Sequence, residues 1–268
     1  MTKITNKQGV NELLVNAVRV AMNSHVSHAE GGYYASVTEL LNEPQQVLLR
    51  RRHADEIERD VLECIDLFIG TAVHEFIHNA RGDYKGLSEE RFKCEVLGKI
   101  VSGGMDDGIL VIRDMIIEDF KVVKSFSAGL DSSKPKWEAQ LNMYGYMATL
   151  DGYTVKGLAI VPIVKDYPLK EYGKPLAGKP IRGWGKEKGQ VVGHYPPAQV
   201  YRIPLEVWAK EKTLAFMEEK VSKLVEAEPE SDKALSFKFP CQDTWGGRRC
   251  KDYCDVAEFC HQAKGGKK

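Results

Sequence analysis

Residues 92–123 read FKCEVLGKIVSGGMDDGILVIRDMIIEDFKVV, and the fold turns on how this segment is divided. Phe92 to Val101 alternates apolar with polar side chains and predicts a strand. Gly103-Gly104 predicts a tight turn. Gly108 to Ile112 is an apolar run, Arg113-Asp114 a second turn, and Met115 to Val123 another strand. Three consecutive, antiparallel strands follow from that division. Asp119 and Lys121 stand two apart on the last strand, so they project from one face. Asp106, just after the glycine pair, can meet them across the hairpin. Two carboxylates so placed make a hard oxygen site for Mg²⁺ or Mn²⁺. The neighbouring ammonium can orient a water and offset charge growing on a phosphate. Metal, carboxylates and a cation together are what phosphodiester hydrolysis requires.

On either side the texture is helical. Asn6 to Asn23 predicts a helix with Val10, Leu13, Leu14, Ala17 and Val20 as its apolar stripe. Ser36 predicts the cap of a short helix, and Pro44 a restart. Gln46 to Asn79 reads as one or two helices burying Ile57, Val61, Cys64, Ile65 and Phe68. Beyond the meander, Ser125 to Lys136 reads as a polar loop. Trp137 to Leu150 returns to helical spacing, and Val155 to Val164 predicts a fourth strand. Residues 165–195 form a long loop with seven Lys or Arg against three Asp or Glu. Tyr201 to Pro204 predicts a fifth strand and Leu205 to Ala227 a long helix. This order implies a mixed sheet with helices against it.

Four short patterns agree with this chemistry: His74 in Gly-Thr-Ala-Val-His, Gly103-x-x-Asp106, Asp119-Phe-Lys121 and Gln140-Leu-Asn-Met-Tyr144. In that order they resemble the PD-(D/E)XK nuclease superfamily, specifically its RecB-like and CRISPR-adaptation exonuclease branch, over about residues 70–164. The resemblance implies an α/β, restriction-endonuclease-like core, a mixed central sheet flanked by helices, and a cysteine-rich C-terminal segment. It implies a metal-dependent DNA nuclease, with His74, Asp106 and Asp119 as metal ligands. Asp106, Asp119, Lys121, Gln140 and Tyr144 would be the catalytic set, with Gln140 and Tyr144 supporting the site and contacting nucleic acid. Val122 stands where the family often carries Thr or Ser. The domains expected are a helical region at 1–69, a nuclease core at 70–230 and a cysteine-rich tail at 231–268.

The same histidine opens a rival. His74-Glu75-Phe76-Ile77-His78 spells the zinc-peptidase pattern HExxH, with both imidazoles on one helix face. Glu89, Glu90 and Glu95 are the downstream candidates for a third ligand, without a recognisable motif around them. A third reading keeps the fold as a catalytically inactive DNA-binding module.

Four of six cysteines, Cys241, Cys250, Cys254 and Cys260, fall in the last 28 residues. In a reducing compartment such a cluster predicts a metal site. Zinc pairs are usually closer in sequence, whereas an iron–sulfur cluster tolerates irregular gaps. The resembled branch implies a 4Fe–4S cluster held by Cys250, Cys254 and Cys260 with a fourth, N-terminal cysteine; near Glu43-Pro44, where that one belongs, there is none. Cys241 is the first substitute and Cys64 the second. Cys64 and Cys94 otherwise read as small buried side chains.

Lys and Arg equal Asp and Glu at 38 each. DNA must therefore be held by a local patch. Lys179, Arg182 and Lys186, interleaved with Tyr172, Trp184 and Tyr195, are the candidate strand-guiding surface. The expected substrate is DNA with a free end or a single-stranded stretch. Met1 to Val10 is polar, and no apolar run approaches the ~18 residues that span a bilayer, so a cytoplasmic protein without membrane contact is expected.

Overall fold

The computed structural model describes residues 3–27, 32–80, 82, 86–167, 176–183, 188–242 and 247–265. The elements are β1 (Lys3–Thr5), α1 (Glu12–Ser27), β2 (Ala35–Ser36), α2 (Val37–Leu40), α3 (Pro44–Arg52), β3 (Glu58–Asp60) and α4 (Ile65–Asn79). Then come β4 (Gly86–Val96), β5 (Lys99–Val111), β6 (Asp114–Val123), α5 (Ser125–Gly129), α6 (Lys134–Leu150) and β7 (Thr154–Val164). The chain closes with β8 (Pro180–Arg182), β9 (Val191–His194), β10 (Ile203–Leu205), α7 (Lys210–Ala227), α8 (Asp232–Lys238), α9 (Arg248–Asp252) and α10 (His261–Gly265). The result is a mixed α/β fold with a central mixed sheet flanked by helices. Among the described residues, no helix is long and apolar enough to cross a membrane.

Two compact units divide the chain. One comprises residues 72–94 and 102–215, the other 1–71, 95–101 and 216–268. The N-terminal helices and the cysteine segment, far apart in sequence, thus belong to one body.

In the 72–94/102–215 unit the strand order is β10-β7-β6-β5, with β4 also on β5. β5 and β6 are antiparallel, and β6 and β7 are parallel. The switch follows from the connection. A two-residue turn joins β5 to β6, whereas β6 reaches β7 through α6, the crossover that parallel pairing demands. Met115 and Ile117 of β6 are fully buried, as are Leu141, Met143 and Met147 of α6 and Leu158 and Ile160 of β7. These side chains bind α6 to the sheet. Asp119, in step with Met115 and Ile117, continues their buried register with a carboxylate.

Gly103-Gly104, expected as a turn, lies inside the continuous strand β5. The turn is earlier, at Leu97-Gly98, both with positive φ, and it divides the expected strand Phe92 to Val101 between the end of β4 and the start of β5. Gly103 serves packing: a Cβ there would come within 2.5 Å of the Tyr144 ring. The expected polar loop after β6 instead contains α5 and a 3-10 turn at Asp131–Ser133. The described part of the 165–195 loop contains an antiparallel pair, β8 and β9.

In the other unit, β1 pairs in parallel with β3. The residues Ile57, Val61 and Cys64 are buried as expected, but Ile57 stands just before β3, and Val61 and Cys64 lie in a 3-10 turn rather than a helix. On α1 the buried positions are Val15, Val18 and Ala21, while Leu13 and Val20 are exposed. That helix is apolar on several faces, so periodicity alone misassigned its phase. Ser36 does cap α2, in a reciprocal capping box with Glu39.

Candidate functional site

The candidate site lies entirely in the sheet-bearing unit, where α4, β4, β5, β6 and α6 each supply a side chain. Asp106 of β5 and Asp119 of β6 come from antiparallel neighbours whose register pairs Asp107 with Glu118. Asp106 Oδ2 accepts the Phe120 amide at 2.8 Å, which fixes its carboxylate against β6. His74 Nδ1 lies 3.3 Å from the same oxygen. That contact raises the His74 pKa, with burial opposing it.

Asp119 is 1% exposed. Burial pushes its pKa up to about 6, Lys121 pulls it down, and Asp106 adds to the rise. Lys121 Nζ lies 2.5 Å from Asp119 Oδ2, a short charge-assisted contact that pairs the two side chains. Burial acts to lower the Lys121 pKa, but Asp119 and Asp106 overcome it, and the ammonium is held in its charged form. Behind Asp119, Gln140 Nε2 is 3.4 Å from Oδ1 and donates to Tyr144 Oη at 2.8 Å. Burial, then the charge of Asp119, drives the Tyr144 pKa upward, so its hydroxyl stays protonated. Asp106, Asp119, Lys121, Gln140, Tyr144 and His74, named from sequence, are therefore in one connected group.

Glu89 joins them. Its carboxylate, the His74 imidazole and Asp106 offer donor atoms all within 4.8 Å of one another. The residue as a whole is exposed, yet its carboxyl group is desolvated by these neighbours, and burial followed by Asp106 raises its pKa. Its φ of +51° marks an irregularity in β4 that a non-glycine residue rarely adopts. In sequence, Glu89 stands out only as a possible peptidase ligand, because no fixed spacing ties it to the Gly-x-x-Asp pattern. His78, the second histidine of the HExxH pattern, is not in this group; its Nδ1 is 2.9 Å from Ser88 Oγ. Glu75 accepts from Asn79 at the surface.

The second constellation belongs to the other unit. Cys241, Cys250, Cys254 and Cys260 line one small pocket together with Gln45 and Gln46 of α3. Burial pushes the Cys241 thiol up to about 12, and the neighbouring Cys260 adds to that. Cys64 is elsewhere, packed with Val15, Val18 and Val61. Cys94 is buried on β4, which lifts its thiol to about 11. Helix α3 is tied to the cysteine segment by paired bonds from Arg50 to Asp255, 2.8 Å each. His53, just after α3, stacks on Phe259 at 4.0 Å between centroids.

Of the candidate strand-guiding residues, Lys186 lies outside the described residues, as do Tyr172 and Trp184. Lys179 precedes β8, and Arg182 within it donates to the Gly189 carbonyl at 2.9 Å.

No protein-family model and no curated protein matches this chain. Among solved structures, it is similar to the one described as the crystal structure of SSO0001, with a TM-score of 0.57 and 14% identity over 94% of this chain and 98% of that one. At that identity the likeness is one of fold: a mixed sheet flanked by helices.

Proposed function

We propose that the chain is a Mg²⁺- or Mn²⁺-dependent deoxyribonuclease of the PD-(D/E)XK type, an exonuclease acting on DNA with a free end or a single-stranded stretch in processing, recombination or repair. The observation that carries this reading is the ion pair between the buried Asp119 and the partly exposed Lys121, set beside Asp106 and His74. An ion pair on a buried carboxylate is weak support for stability, so its presence calls for another role. The donor set fits a hard cation: carboxylates from Asp106, Glu89 and Asp119, with one imidazole. When bound there, the ion supplies Lewis acidity toward the phosphate and a more acidic water.

The protein's own groups account for the rest. Lys121 stays charged and can offset the negative charge that grows on the phosphate as the bond breaks. Gln140 steers Asp119 from behind. Tyr144, kept protonated, remains a hydrogen-bond donor. His74 must give up its proton to ligate, and the Asp106 contact holds its ring in place for that exchange.

We assign the cysteine pocket a structural 4Fe–4S cluster with Cys241, Cys250, Cys254 and Cys260 as ligands. Four thiolates are the set such a cluster takes. The irregular sequence gaps of eight, three and five residues between them favour the cluster over a zinc ion, whose ligands usually come in close pairs.

The test is digestion of end-labelled linear and circular DNA with Mg²⁺ or Mn²⁺, alongside casein with Zn²⁺. Linear DNA should be degraded and chelation should stop it. Folded protein that spares every DNA but cleaves casein would replace this reading with the peptidase.

A further inference from the structure

Two adjacent glutamines of α3 have no part in the proposed chemistry, yet both are buried, Gln45 at 0% and Gln46 at 6% exposure. Buried amides must find partners, and these find sulfur. Gln45 Nε2 lies 3.1 Å from Cys260 Sγ and 2.8 Å from Ser236 Oγ, and its Oε1 accepts from Cys241 Sγ at 3.3 Å. Gln46 Nε2 lies 3.6 Å from Cys254 Sγ. Arg249 fixes that orientation by donating to Gln46 Oε1 at 2.9 Å, which leaves only the amide nitrogen to face the sulfur. Two N–H groups are thus aimed at two thiols from one helix.

We propose that Gln45 and Gln46 are positioning residues for the cysteine centre, donating N–H···S hydrogen bonds that set the reduction potential of the metal group held there. This rests on the iron–sulfur reading given above. A thiolate carries more negative charge than a thiol, so the two N–H···S bonds, to Cys260 and Cys254, strengthen once the cysteines are deprotonated by metal, while the S–H that Cys241 gives to Gln45 Oε1 is lost on ligation. They strengthen again on one-electron reduction, when charge on the sulfurs rises, and so favour the reduced state. Hydrogen bonds to sulfur are a recognised lever on such potentials. Arg249 acts in two ways, by anchoring Gln46 and by its charge, which bears directly on Cys241 and Cys250. No bond is made or broken; dithionite supplies the electron.

The experiment uses the full chain purified without oxygen. Iron and sulfide per chain are measured first, and the potential is then read by a dithionite titration followed by electron paramagnetic resonance. Gln45→Leu and Gln46→Leu should keep the wild-type iron content and titrate at a more negative potential. Arg249→Lys, which keeps the charge but loses the guanidinium that anchors Gln46 Oε1, should move the potential in the same direction as Gln46→Leu, and adding it to Gln46→Leu should shift nothing further. Should Gln45→Leu fail to fold, the Gln46 and Arg249 variants carry the test. Full iron loading with unchanged potentials would overturn the role of the glutamines and leave the cluster standing. Wild-type protein free of iron would overturn the cluster itself, and the inference with it.

Discussion

The carboxylate site and the thiol pocket, the two places proposed to hold metal, are built in opposite ways. The first is assembled on regular strands. Alternation along β6 buries Met115, Ile117 and then Asp119, so the sheet that makes the core also sets the carboxylate. The second is assembled on short helices and turns, where Cys250, Cys254 and Cys260 follow no single period. There the order comes from α3, through its amides and the Arg50–Asp255 pair. A rigid frame can hold unlike groups in strained company for chemistry. A loop-rich frame depends on what it binds, because metal binding energy becomes folding energy when the site is absent from the unfolded chain.

That contrast can be broken by two substitutions with crossed effects. Lys121→Met should cut DNA cleavage by about 10²-fold or more. Thermal stability should change little, since Asp119 can take up a proton in place of its lost partner. Cys254→Ser should do the reverse: loss of colour and iron, a lower melting temperature, and normal turnover in the fraction that remains folded. If Cys254→Ser abolished turnover while leaving the melting curve intact, the two sites would not be separable in this way.

Glu89 sharpens the first site. Glu89→Gln keeps the shape and removes a charge from the group it forms with His74 and Asp106. Manganese affinity, followed by the free-ion resonance signal, should weaken by about tenfold, within the range seen when supporting groups of metal sites are altered. Equal affinity in the variant would remove Glu89 from the ligand set. Gly103→Ala tests the frame itself. The new methyl would meet the Tyr144 ring at 2.5 Å and Met147 at 2.9 Å, and overpacking of this kind costs about 1–3 kcal/mol, measurable by denaturant unfolding.

The smallest effect belongs to the α3 side of the thiol pocket. His53 Nε2 bonds Asp232 at 2.8 Å, and this bond, with the one to Glu56, raises the imidazole pKa in the folded state. A raised pKa means the protonated form stabilises the fold: the contribution is complete below the unfolded value near 6.5 and is lost as pH rises through the folded one. The group is partly exposed, so the slope is shallow. His53→Gln should flatten the fall in melting temperature between pH 6 and 8. A steeper fall in the variant would reverse the sign of this linkage.

The sequence by itself determined the last strand of the meander, the crossover helix and the residues that meet there. Asp106, Asp119 and Lys121 were legible because strand alternation and short loops leave few ways to pair such segments. Gln140 and Tyr144 were legible because residues four apart share one helix face. Tertiary structure decided what no local period encodes. It put Gly103 beneath Tyr144 rather than in a turn, because only close packing distinguishes those uses of glycine. It turned α1 so that Val15 and Val18 are buried, a choice among apolar faces that its neighbours make. It brought Glu89 to His74 through one irregular residue in β4. It drew Cys241, and not Cys64, to the other three cysteines, since Cys64 is held in its own apolar cluster with Val15, Val18 and Val61. Contacts between segments nearly 200 residues apart, such as Gln45 with Cys241, are set by the packing of whole elements, and only the folded chain specifies them.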